Sequence, residues 1–150
     1  MNAQADESRD TEAIGREVFA EIARRFPALK MVENSGEPVE ISITIPVQLG
    51  LKHEVWLCLQ NRDELGFSAG HFYKEWFPCT KRDRVDKYLD AVTGFLSGRY
   101  RILEHHRGGR CYKAQLQKPE DGGWRTIAWW ATIWICLSWR KTLKEIRSDA

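Results

Sequence analysis

The chain has 150 residues, a formal net charge of +2, and 43% hydrophobic and 29% charged residues. That is one domain by expectation, long enough to bury roughly 68–70% of its unfolded surface without help from disulfides or metal. The small charge does not by itself imply a nucleic-acid partner, and the composition is ordinary for a globular protein.

Four cysteines, Cys58, Cys79, Cys111 and Cys136, show neither metal-type spacing nor the density of a disulfide frame. They read as free thiols in a reducing compartment. The first residues carry Asp6, Glu7, Asp10 and Glu12 and no apolar stretch of the kind a secretory signal needs. A cytoplasmic location is the expectation.

Residues 1–9 are polar and read as a disordered tail before a single domain over 10–150. Asp10 is placed to cap a helix whose apolar face is Ile14, Val18, Ile22 and Phe26, ended by Pro27. Asn34-Ser35-Gly36 is turn chemistry. Val39, Ile41, Ile43 and Ile45 then alternate with polar residues in a half-buried strand that Pro46 ends. Val55, Leu57 and Leu59 predict a second strand, and Leu65, Phe67 and Ala69 a third, joined as an antiparallel hairpin. The aromatic segment Phe72, Tyr73, Trp76, Phe77 fits no one element. Thr80 with Asp83 has the spacing of a capping box for a second helix, carried by Val85, Tyr88, Leu89, Val92, Phe95 and Leu96 and stopped at Gly98.

Residues 100–106 and 111–117 flank Gly108-Gly109, a pair suited to a type I′ turn. A regular hairpin sets Glu104 opposite Lys113 and Leu103 opposite Ala114. A second turn leads into Trp124. Residues 126–137 keep a period of two rich in β-branched side chains, so they read as strand with a break inside, and Trp129 and Trp130 then point to opposite sides. The apolar run 127–139 is too short for a membrane-spanning helix, which needs about 20 residues. Ser138 is positioned to cap a terminal helix to about Arg147, with Leu143 and Ile146 inward.

The expectation is an α+β domain with an antiparallel, possibly split, sheet of about six strands and two main helices, in the order α-β-β-β-α-β-β-β-α. That order is similar to the class I chaperones of type III secretion. The likeness covers element order only, and those chaperones are typically acidic whereas this chain is slightly basic.

Four groups of residues stand out. Cys79 precedes the second helix, beside Lys81 and Arg82, where a thiolate is favoured, and His71 is a base within reach if the chain folds back. A packed thiol is the plainer reading. His71 and Glu75 are four apart, but no third residue is spaced to complete a metal site, so neither metal nor cofactor is expected. The hairpin carries Arg99, Arg101, Arg107 and Arg110 with His105 nearby and Glu104 as its one acid before the second turn. It reads either as a solvated hairpin or as a surface for nucleic acid or another anion. Seven tryptophans, with Trp130 and Trp134 in the apolar run, point to a large core or to an interface.

The glycine loops, serine elbow and zinc-protease helix of common enzymes are missing from the sequence. The leading expectation is therefore a small protein-interaction, chaperone-like or regulatory module without catalytic activity, binding a protein or a second copy of itself. The alternatives are a nucleic-acid or anionic-ligand binder working through the hairpin 99–118, and a cysteine-dependent enzyme using Cys79.

Overall fold

The first helix buries Val18, Phe19 and Ile22, the stripe that its four-residue spacing requires. A computed structural model describes residues 3–133 and 140–149. In it α1 spans Ala3–Arg25, so Asp10 lies inside the helix and does not cap it.

Five strands follow as an antiparallel meander: β1 (Val32–Asn34), β2 (Ile41–Ile45), β3 (Val55–Gln60), β4 (Glu64–Ala69) and β5 (Phe72–Trp76). Alternation sends Ile41, Ile43, Ile45, Val55, Leu57, Leu59, Leu65 and Phe67 to one face, and all are buried. The hairpin predicted between the second and third strands is present as β3–β4, with Leu57 opposite Phe67. The ambiguous aromatic segment is β5, with Ala69 opposite Phe72.

Both helices close this face. Helix α2 (Arg82–Leu96) brings Phe95 against Phe67, with ring centres 5.6 Å apart, and the fully buried Tyr88 hydroxyl donates to the Gly66 carbonyl at 2.8 Å. Phe19 of α1 meets Tyr88 edge-on. The expected capping box does not form: Lys81 is the N-cap residue and makes no side-chain cap bond. Gly98 does stand just past the C-terminus, its N–H donating to the Phe95 carbonyl at 2.9 Å.

The far face of the meander is polar and aromatic. Trp56 stacks on Tyr73 and donates to Ser42 Oγ at 2.9 Å, and Cys58 is sealed beneath. Burial pushes the Cys58 thiol up to about 12.

A second antiparallel sheet has the order β8-β7-β6-β9, from β6 (Arg101–Arg107), β7 (Arg110–Glu120), β8 (Gly123–Ala131) and β9 (Lys141–Ile146). Its inner face adds Ile102, Ala114, Leu116, Ala128 and Ile146 to the same core. The described residues thus form a single α+β domain of two helices and two antiparallel sheets. The described residues hold nine strands, more than the six expected, with five before α2 and four after it. The observed order is one helix, five strands, a second helix and four strands, in place of the expected α-β-β-β-α-β-β-β-α.

Two local expectations fail for physical reasons. Residues 141–146 are a strand because they complete the edge of β6, with Ile102 opposite Ile146. Leu143 and Ile146 would share a helix face, but in a strand they point to opposite sides. Ile146 is 1% exposed and Leu143 is 64% exposed. In the β6–β7 hairpin the Gly108-Gly109 turn is as expected, with φ of 58° and 77°. A bulge at His105/His106 then shifts the register, so that Glu104 faces Ala114 and Leu103 faces Gln115. Ser138, proposed as a helix cap, and Trp134 lie outside the described residues. No helix among the described residues is long and apolar enough to cross a membrane.

Candidate functional site

The four-stranded sheet presents its outer face to solvent. Across it run Trp129, Gln115, Leu103 and Glu145 in one row, and Ala131, Lys113, His105 and Leu143 in the next. Trp129 is 60% and Leu143 64% exposed, and Ile133 just past β8 is 98% exposed. Trp130 turns the other way and packs, partly buried, against the core. The alternation expected of the two tryptophans is present, and Trp129 is the one that meets solvent.

The predicted basic residues divide on this surface. Arg101 is built in: its guanidinium lies 4.2 Å over the Trp124 ring, donates to Glu145 at 2.7 Å and also bonds Gln117. Arg107 lies 5.6 Å from the centre of the Tyr112 ring, and its Nε is buried without a hydrogen-bond partner. Arg99 precedes β6 and lies over the Tyr100 ring. Arg110 opens β7 at the turn, opposite Arg107. His105 Nε2 is 2.6 Å from Gln115 Oε1, which ties its ring to the sheet.

Cys79 is 1% exposed, at the wall of a cleft of about 520 Å³ between α1 and α2 that also holds Glu17, Glu21, Arg25 and Arg82. Burial pushes its thiol up to about 11, and Asp63 adds to the effect. A thiol held that high is a poor nucleophile near neutral pH.

His71 is turned to a different neighbour. The tight β4–β5 connection, Gly70-His71, delivers both the His71 N–H (2.7 Å) and the His71 ring Nδ1 (3.0 Å) to Glu104 Oε1. The other carboxylate oxygen lies 2.7 Å from His106 Nε2. An ionised carboxylate only accepts, so each imidazole carries its proton on the nitrogen that faces Glu104. Cys111 sits directly opposite His106 on β7, 4% exposed, its S–H donating to the Lys113 carbonyl at 3.4 Å. His71, Glu104, His106 and Cys111 offer one ligand atom each, all within 4.8 Å of one another.

The bulge explains how an acid came to be here. A regular ladder would set Lys113 against Glu104, and the shift replaces it with Ala114. Glu104 is 0% exposed and its ion-pair partners are His71 and His106. Lys144 faces Glu104 across the β6–β9 ladder but is exposed and makes no ion pair with it. Burial alone would raise the Glu104 carboxyl. The His71 backbone N–H and the two imidazoles outweigh it, and the group is held below its usual value. Burial and the nearby Glu104 charge push the Cys111 thiol up.

Sequence reasoning missed this cluster. It paired His71 with Glu75 or Cys79, and the structure brings it to neither. The one local signal was Glu104-His105-His106 beside Cys111 across a two-glycine turn. His71 joins from the other sheet, at a distance in sequence that no motif spans. Comparison with family models, with curated proteins and with solved structures gave no match.

Proposed function

We propose that the chain is a small protein-interaction module without catalytic activity, and that it docks an acidic, partly apolar protein surface on the outer face of the four-stranded sheet. The observation that carries this reading is the exposure of Trp129 and Leu143 on one face among Arg101, Arg107, Lys113 and Lys141, with Glu145 as the acid in those rows. Aromatic and arginine side chains around apolar anchors are the usual makeup of an interface core, and complementary charge selects the partner. The free, buried Cys58, Cys79 and Cys111 support a reducing, cytoplasmic setting. The high thiol of Cys79 and the engagement of His71 elsewhere count against the cysteine-enzyme alternative.

The same face suits two other occupants, a second copy of the chain or a nucleic acid, and the test separates them. The full chain is used to capture protein from nuclease-treated lysate, beside Trp129→Ser with Leu143→Ser, and beside Arg107→Glu with Lys113→Glu. Support is a stoichiometric protein that survives nuclease, weakens with salt, is lost in both double variants and is kept by Leu49→Ser, a fully exposed loop control. Capture that vanishes with nuclease, a chain that sediments as a dimer through this face, or equal capture by all variants would overturn the proposal.

A further inference from the structure

We propose that His71, Glu104, His106 and Cys111 form a site for a zinc-type divalent cation that joins the two sheets. The inference is independent of the outer face.

The donor set is the first argument. Two imidazoles, a carboxylate and a thiol are the borderline and soft ligands that zinc and its neighbours take. Calcium and magnesium take oxygen only. Four such atoms within 4.8 Å of one another need only a small contraction, since metal–ligand bonds of about 2.0–2.3 Å put tetrahedral ligands roughly 3.3–3.8 Å apart.

Charge is the second. Glu104 is fully buried, and the groups at its oxygens are the His71 N–H and the imidazoles of His71 and His106, with no lysine or arginine among the described residues in an ion pair with it. A buried carboxylate is costly unless paired, and a cation among these donors pairs it while displacing the imidazole protons that now face it. The same cation would favour the thiolate of Cys111, whose sulfur lies within 4.8 Å of the other three donors.

Construction is the third. The turn that supplies His71 is set against Glu104. Gly70 has φ of 57°, and a Cβ there would overlap Ile146 Cδ1 and lie 2.6 Å from Glu104 Oε1. His71 comes from the β4–β5 turn of one sheet, Glu104 and His106 from β6 and Cys111 from β7 of the other. A bound ion therefore ties the sheets at one end of the core. His71, 57% exposed at its side chain, leaves the approach open from solvent.

The full chain, free of any histidine tag and stripped with chelator, is titrated with Co²⁺ as a visible probe and then with competing Zn²⁺. The expected result is one Co²⁺ per chain, intense tetrahedral d–d bands, and a sulfur-to-cobalt charge-transfer band that Cys111→Ser removes and Cys79→Ala keeps. His71→Ala removes an exposed ligand and lowers affinity by at least about 10-fold. Zn²⁺ raises the melting temperature of the parent chain and much less that of His71→Ala. A weak octahedral spectrum, no saturation at micromolar metal, or a charge-transfer band that survives Cys111→Ser would overturn the site. Should Cys111→Ser fail to fold, unchanged affinity in His71→Ala would overturn it alone.

Discussion

The two sheets are built from the same antiparallel hairpins, yet they spend their inner faces differently. The five-stranded sheet turns Ile43, Leu57 and Phe67 to a face closed by two helices, and its inner rows are apolar through its centre. The four-stranded sheet places Glu104 in line with Ile102 on its inner face and leaves Trp129 and Leu143 on its outer one. One sheet makes most of the core. The other completes it, and carries the exposed outer face and three of the four residues of the buried cluster. A sheet already half covered by a partner layer can hold a polar cluster at its margin, because there the cost of burial is met by nearby donors and not by packing alone.

The contrast can be broken first at the centre of the closed face. Phe67→Ala is expected to cost about 3–5 kcal/mol in urea unfolding, whereas Leu143→Ala should stay within about 0.5 kcal/mol. Similar losses at the two positions would mean that the outer face is covered after all.

A second comparison sets two glycines of positive φ against each other. At Gly109, φ is 77° and a Cβ would meet open space, so Gly109→Ala carries only the backbone strain, about 1 kcal/mol. Gly70→Ala adds the overlap with Ile146 and Glu104, and should cost about 2–3 kcal/mol. Equal melting shifts would show that the His71 turn is not pressed against Glu104.

The far face of the meander offers a pH test. The Cys58 thiol sits at about 12 when folded and near its ordinary value of 9.0 when unfolded. The native state therefore holds this proton more tightly. The stabilisation is complete below about pH 9 and is lost as pH rises toward 12. Urea midpoints measured across that window should fall for the parent chain and fall less for Cys58→Ala.

A last comparison separates adjacent tryptophans. Trp130→Ala removes a side chain packed on the core and should cost about 2 kcal/mol, while Trp129→Ala should change stability by no more than about 0.5 kcal/mol. Equal costs would argue that β8 is not half covered as described.

Much of the fold was legible because the signals are local. The spacing of Val18 and Ile22, the alternation of Ile41, Ile43 and Ile45, Gly98 after its helix and Gly108-Gly109 between strands each depend on a few neighbouring residues. The terminal strand was hidden because Leu143 and Ile146 satisfy helical spacing as well as they fit an edge strand. Only the unpaired edge of β6 decides between them. The register of the hairpin was hidden because a bulge leaves no mark in composition.

The sequence by itself determined an α+β chain with an antiparallel sheet, the first helix, the central hairpins, and a basic, tryptophan-rich second half. These follow from side-chain periodicity and turn chemistry, which act over a handful of residues. Tertiary structure alone decided which tryptophan faces solvent, that Lys113 turns outward, and that His71 meets Glu104, His106 and Cys111. Those outcomes depend on how one sheet's turn docks on another sheet's inner face. No window along the chain carries that information, because the groups that meet are joined by packing and not by sequence.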